Sequence, residues 1–163
     1  MPEAAVLTRR PENESARGEA GFVLIIDDEA AIRESLQTLL EMEGYNVTTA
    51  ANGEEGLAKL GDRPFELVLL DLALPDRNGI ELLAEIREQD RHLSVIMITA
   101  YGTVENAVRA MQSGAANFIQ KPWDNEKLLA DVRAAISRRR TEEENVQLKR
   151  ALKQRYSFEN IVG

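Results

Sequence analysis

The chain has 163 residues, 44% of them hydrophobic, enough for one compact domain with extensions and too few for two full-sized domains. It has no cysteine and a single histidine, His92, so disulfide frameworks, thiolate zinc sites and histidine clusters are excluded and any metal must be held by oxygen. The net charge of -8 is unevenly spread: residues 21 to 136 carry ten basic and twenty acidic side chains, while residues 137 to 163 carry seven basic and four acidic. Such an acidic body is a poor surface for nucleic-acid phosphates, so contact with DNA would need a module missing from this chain.

In chain order, residues 1 to 20 hold Pro2, Pro11 and Gly18 among scattered charges with no sustained period, which predicts a disordered tail. Val6 and Leu7 stand alone there, giving no signal-peptide core, and no apolar run approaches the ~18 residues of a membrane span, so the expectation is a cytoplasmic protein without membrane contact. Phe22 to Ile26 is an uninterrupted apolar run that ends in Asp27-Asp28-Glu29. Ile32, Leu36, Leu39 and Leu40 follow at helical spacing, with Gly44 as the closing residue, and a short strand spans Tyr45 to Ala50. A second helix runs from Asn52, its N-cap, to Leu60, and Gly61 ends it.

After Pro64 comes a second covered run, Phe65 to Leu70, ending in Asp71 and a loop punctuated by Pro75 and Gly79. Four or five aliphatics without alternation mark a strand covered on both faces, as in a parallel sheet. Ile80, Leu82, Leu83 and Ile86 predict a third helix to about Gln89, and Val95 to Thr99 a covered strand that ends in a hydroxyl. Val104, Ala107, Val108 and Met111 give a fourth helix up to Gly114, then Asn117 to Gln120 a last strand delivering Lys121-Pro122. The final helix begins near Asn125 with Leu129, Val132 and Ile136 towards the core. Unbroken to Lys153 it would be about 43 Å long, so its second half must project from the domain.

Five β-α repeats predict a doubly wound parallel sheet with helices on both faces, whose sites lie at the carboxyl ends of the strands. That edge would gather Asp27, Asp28, Asp71, Thr99 and Lys121. Any one of these alone reads equally well as a loop cap, but independent capping roles for all of them would be a coincidence. Crowded carboxylates are relieved by a divalent cation, and an oxygen-only site suits Mg²⁺. A cation makes phosphate the natural substrate, with Mg²⁺, the Lys121 ammonium and the Thr99 hydroxyl each taking one equatorial oxygen. Asp71 is then a nucleophile able to form an aspartyl phosphate.

These residues resemble the receiver domains of two-component response regulators over about residues 21 to 138, with Asp27-Asp28 as the acidic pair, Asp71, the Leu74-Pro75 and Gly79 loop, Thr99-Ala100 and Lys121-Pro122 agreeing in order and spacing. The resemblance implies a flavodoxin-like (βα)5 fold of strand order 2-1-3-4-5 and a sensor histidine kinase as phosphoryl donor. It implies Asp71 as phosphoacceptor with Lys121 and Thr99 beside it, Mg²⁺ ligated by Asp28, Asp71 and the Ala73 carbonyl with Asp27 acting through water, and a cis bond before Pro122. It also implies a switch pair, Thr99 and Phe118. Phe118 stands where many receivers have Tyr, which excludes readout through a tyrosine hydroxyl. Tyr101 either shields an acyl phosphate from water or is an exposed aromatic at a helix start.

A haloacid-dehalogenase-like phosphatase also uses an Asp after a strand, but needs another Asp two residues on, where this chain has Ala73, so a regulatory module rather than an enzyme is expected. A passive binding domain would need a Gly-rich cofactor loop. Gly53-Glu54-Glu55-Gly56 lacks the Lys and Ser/Thr of a phosphate-binding loop and reads as a helix start. His92 reads as a surface loop residue and Trp123 as packing against the last helix. Arg138, Arg139 and Arg140 lie four residues before Glu142, Glu143 and Glu144, as in ion pairs along a solvated helix. Ser157 to Gly163 is similar to the opening of the AAA+ domain of sigma-54-dependent transcriptional activators. The expected organisation is therefore a tail (1 to 20), a receiver (21 to 138), a helical linker (139 to 156) and the start of a missing AAA+ domain (157 to 163), with a homodimer formed through the last helix and linker.

Overall fold

The computed structural model describes residues 21–162, with side chains described up to residue 153 except those at 142, 143 and 146. The tail expected at residues 1 to 20 lies outside the described residues, as do the side chains of the segment likened to an AAA+ opening. Five strands, β1 (Phe22–Ile26), β2 (Asn46–Ala50), β3 (Leu67–Leu70), β4 (Ser94–Thr99) and β5 (Asn117–Gln120), alternate with five helices. These are α1 (Ala30–Met42), α2 (Gly53–Leu60), α3 (Gly79–Gln89), α4 (Val104–Gln112) and α5 (Asn125–Val162). All pairings are parallel and the order is β2-β1-β3-β4-β5, the flavodoxin-like arrangement.

The missing alternation in the central strands has its cause in the two layers. Leu67 and Leu69 point to one side, into a core made with Leu36 and Leu40 of α1 and Leu128, Val132, Ala135 and Ile136 of α5. Val68 and Leu70 point to the other, against Ile80, Leu82, Leu83 and Ile86 of α3 and Ala110 of α4. Both faces of β3 are thereby dry, and each fully buried Leu or Ile contributes about 1.5–3 kcal/mol of transfer free energy.

Helix ends follow local chemistry. Gly44, at φ 96°, carries the chain out of α1 in the left-handed region, and the Tyr45 amide returns to the Leu40 carbonyl at 3.1 Å. Asn52 caps α2 as expected, accepting from the Glu55 amide at 2.8 Å, and Asn78 and Thr103 cap α3 and α4 in the same manner.

One expectation needs correction. In α5 the fully buried leucine is Leu128, with Leu129 only partly covered, so the core-facing register is 128, 132, 135 and 136. The helix α4 forms where its apolar period places it, but Val104 is 82% exposed, Val108 48% and Met111 49%, while Ala110 is the buried residue. A small alanine lets the helix lie close to the sheet on its other side, leaving an apolar stripe outward.

Candidate functional site

The parallel sheet sets the carboxyl ends of β1, β3, β4 and β5 side by side, and a chain leaving each strand deposits one polar group. The first residue after β1 is Asp27, 2% exposed, whose amide donates to the Ala50 carbonyl at 3.1 Å. Asp71, 5% exposed, follows β3, its amide bonded to the Ile26 carbonyl at 3.0 Å. Thr99 ends β4 fully buried, and its carbonyl receives the Lys121 amide at 2.8 Å. The last turn of each strand ladder thus continues into the site and fixes where the side chains begin.

Lys121 ties the strands together. Its Nζ lies 2.7 Å from Asp27 Oδ2, 3.3 Å from Asp71 Oδ2 and 3.5 Å from Glu29 Oε1. The peptide bond between Lys121 and Pro122 is cis. Asp27 Oδ1 also accepts the Glu29 amide at 2.9 Å, and Arg33 of α1 donates to the Asp27 carbonyl at 2.7 Å, so both ends of the acidic turn are held.

Electrostatics follow from that crowding. Burial pushes the Asp27 carboxyl above its ordinary value of 3.8 and the charge of Asp71 adds to the rise, against the opposing hydrogen bonds from Lys121 and the Glu29 amide. For Lys121 burial acts against the ammonium, but the Asp27 hydrogen bond and the charges of Asp71 and Asp27 outweigh it and hold its pKa above the usual value.

Asp27, Asp28, Glu29 and Asp71 each offer a carboxylate oxygen, and these oxygens all lie within 4.8 Å of one another. Four hard donors, three of them paired with Lys121, suit a small divalent cation, which would offset charge that Lys121 alone leaves in excess. The sequence-predicted Asp27, Asp28, Asp71, Thr99 and Lys121 are brought together at one sheet edge, with the Ala73 amide 3.4 Å from Asp71 Oδ1. Glu29 belongs to the cluster and was not among the expected donors, although it directly follows the acidic pair. The Thr99 hydroxyl accepts the Tyr101 amide at 3.1 Å, and Phe118 packs half-buried against the α3 side of the core. Tyr101 is 60% exposed, and its carbonyl accepts from the Asn106 side chain at 2.9 Å.

The remaining expectations divide. His92 is exposed in the loop before β4, and Trp123 packs on the α1–α5 side, its Nε1 donating to Asn125 at 2.9 Å. Of the ion pairs expected along the last helix, those to Glu142 and Glu143 fall on side chains outside the described residues; Arg140 forms a fork in which Nε and an Nη donate to the Glu66 carboxylate at 2.7 and 2.8 Å. No helix among the described residues is long and apolar enough to cross a membrane.

Fold and site together define a flavodoxin-like α/β domain whose strand ends converge on a carboxylate cluster and a buried lysine. The chain belongs to the response regulator receiver domain family, whose model matches residues 23–133. It is 40% identical over 128 residues to the uncharacterized transcriptional regulatory protein YkoG of Bacillus subtilis, covering 78% of this chain and 56% of that protein. It is 39% identical over 137 residues to the C4-dicarboxylate transport transcriptional regulatory protein DctD of Pseudomonas aeruginosa, covering 83% of this chain and 29% of that one. A crystal structure of NtrX from Brucella abortus in complex with ATP superposes with a TM-score of 0.76 at 35% identity, over 79% of this chain and 30% of that one. The chain thus spans from about a third to about half the length of these relatives.

Proposed function

We propose that this chain is the phosphoryl-accepting regulatory part of a cytoplasmic two-component transcriptional activator, and that Asp71 is the acceptor. The observation that carries this reading is the lysine held between two buried carboxylates, 2.7 Å from Asp27 and 3.3 Å from Asp71, beside further acidic oxygens. An Asp71 carboxylate oxygen attacks phosphorus, the bond from phosphorus to the donor's leaving group breaks with its electron pair going to that group, and an acyl phosphate remains on Asp71. Lys121 neutralises one phosphoryl oxygen, and the Thr99 hydroxyl, turning from the Tyr101 amide, donates to another. Asp28, Asp71 and the Ala73 carbonyl would hold Mg²⁺, with Asp27 acting through water and Glu29 at the rim. Bound there, Mg²⁺ supplies neutralisation of the charge that builds up on the phosphoryl oxygens.

The phosphoryl donor is a sensor histidine kinase or a small acyl phosphate, and turnover is limited to self-catalysed phosphotransfer and dephosphorylation. Inward rotation of Thr99 leaves room for Phe118, so the α4–β5–α5 face carries the signal outward. Likeness to DctD and NtrX supports an attached sigma-54-dependent AAA+ module beyond residue 156, whose oligomeric state phosphorylation switches and which, with a further module, meets DNA.

Mass spectrometry after incubation with acetyl phosphate and Mg²⁺ tests the assignment. One phosphoryl group is expected on Asp71; incorporation undiminished in Asp71→Asn or in EDTA would overturn it. Thr99→Ala is expected to accept the group while losing most NMR shift changes around Phe118, and full propagation in that variant would remove Thr99 as the coupler.

A further inference from the structure

The loop between Asp71 and α3 must present the Ala73 carbonyl at a fixed place if that carbonyl is to serve a metal, yet after the buried Leu72 residues 73–78 lie at the surface between two elements. Its base is closed by the Gly79 amide donating to the Leu72 carbonyl at 2.7 Å and by an antiparallel bridge between Ala73 and Asn78. These contacts fix where the loop begins and ends. They do not fix its tip.

The tip is held by another element. Asp76 Oδ1 accepts the Gly53 amide and Oδ2 the Glu54 amide, both at 2.9 Å, so one carboxylate takes up two unpaired donors at the start of α2. Two backbone donors pull the Asp76 carboxyl below its ordinary value of 3.8. The next residue adds packing. A β-carbon on Gly53 would lie 3.0 Å from Arg77 Cδ, so the aliphatic stem of Arg77 rests on the α2 backbone, while its guanidinium pairs with Glu85 of α3. The Asn52 side chain caps the Glu55 amide independently, so α2 has a cap of its own and Asp76 is not needed merely to start it.

We infer that Asp76 is a positioning residue for the phosphoryl site: by clamping the loop tip onto α2 it holds the Ala73 carbonyl where a divalent cation beside Asp71 can be bound. The inference rests on the reading of Asp71, Asp28 and the Ala73 carbonyl as the metal site. Asp76 itself touches neither metal nor phosphoryl group. It works as a brace outside the ligand shell, where loss of a partner bonded directly to a ligand lowers metal affinity about 10–100-fold. Acting one step further out, loss of Asp76 should weaken Mg²⁺ binding by about three- to tenfold, below that range.

Isothermal titration of Mg²⁺ into the whole chain, without any phosphoryl donor, separates the possibilities. Asp76→Ala is expected to weaken Mg²⁺ binding by about three- to tenfold and to speed hydrogen exchange at the Gly53 and Glu54 amides. Asp76→Asn, which keeps one acceptor oxygen, should recover part of the affinity. Two controls remove the simpler explanations: Asn52→Ala weakens the start of α2 without touching the loop, and Glu54→Gln removes a neighbouring carboxylate that makes no loop bond. Both should bind Mg²⁺ as the parent does. Equal affinity in Asp76→Ala and the parent, or an equal loss in either control, would overturn the role of Asp76. No saturable Mg²⁺ binding by the parent chain would overturn the metal site itself.

Discussion

Replacing Lys121 by methionine keeps the length and apolar stem of the side chain and deletes the charge. At an effective dielectric of about 20, a unit pair is worth about 6 kcal/mol across the 2.7 Å to Asp27 and about 5 kcal/mol across the 3.3 Å to Asp71. Desolvation of three buried groups offsets much of this, and removing one member of such a pair costs about 3–5 kcal/mol. The cost has a ceiling, because Asp27 can take a proton rather than stand as an unpaired anion. For an ordinary aspartate that costs about 4 kcal/mol at pH 7 and about 1.5 kcal/mol at pH 5.

The sign follows from the direction of the shift. Folding already raises the Asp27 pKa, and loss of Lys121 raises it further, so its contribution is fully present below the ordinary aspartate range and is lost as pH rises through the folded-state value. Urea unfolding in EDTA should therefore show Lys121→Met less stable than the parent by about 3–4 kcal/mol at pH 7, narrowing to about 1.5 kcal/mol at pH 5. In an Asp27→Asn background the deficit at pH 7 should fall by more than half. A deficit that does not change between the two pH values, and that survives when Asp27→Asn is also present, would mean that Lys121 holds the loop after β5 by packing, not by charge.

Two glycines give opposite expectations. Gly79→Ala would set a β-carbon 2.3 Å from the Asp71 carbonyl oxygen and 2.6 Å from Leu72 Cα, both backbone, so it should cost about 1–3 kcal/mol or more in urea unfolding and weaken Mg²⁺ binding as well. Gly61→Ala, at φ -77° with its nearest contact at 3.5 Å, should be neutral or stabilise by up to about 1 kcal/mol, and a loss there would refute this reading of the α2 terminus.

The fold was legible because the strands are covered on both faces: runs such as Val68-Leu69-Leu70 can be read without knowing what covers them. The site was legible for the same reason, since each run stops at a polar group and parallel strands bring those stops together. What could not be read depends on partners far along the chain. Asp76 meets an amide 23 residues away and Arg140 a carboxylate 74 residues away, and no local period encodes either. Leu128 and Leu129 are adjacent and equally apolar, so only the packed sheet decides which is buried. In α4 the period of 104, 108 and 111 is genuine, but amphipathicity names an apolar face without saying whether the core or something else covers it.

The helix α5 poses that question most sharply. Its 38 residues amount to about 57 Å. Among the described residues its core contacts end at Ile136, and the Arg140–Glu66 fork, between side chains 40% and 15% exposed, anchors it one turn further. Residues 141–162 then run on for about 33 Å. In that stretch Leu148 and Leu152, 61% and 51% exposed, stand four apart on one face among charged neighbours. Covering that face would stabilise the helix, and a second copy offers the same two leucines at the same spacing, although a seam this sparse forms only a weak dimer. Sedimentation of the full chain against a version ending at Arg140 should show a concentration-dependent dimer only for the longer form, with the equilibrium shifted after phosphorylation. Leu148→Glu with Leu152→Glu should return the long form to a monomer. A monomeric full chain at all concentrations, with and without the phosphoryl group, would show that this helix is covered by something other than its own copy.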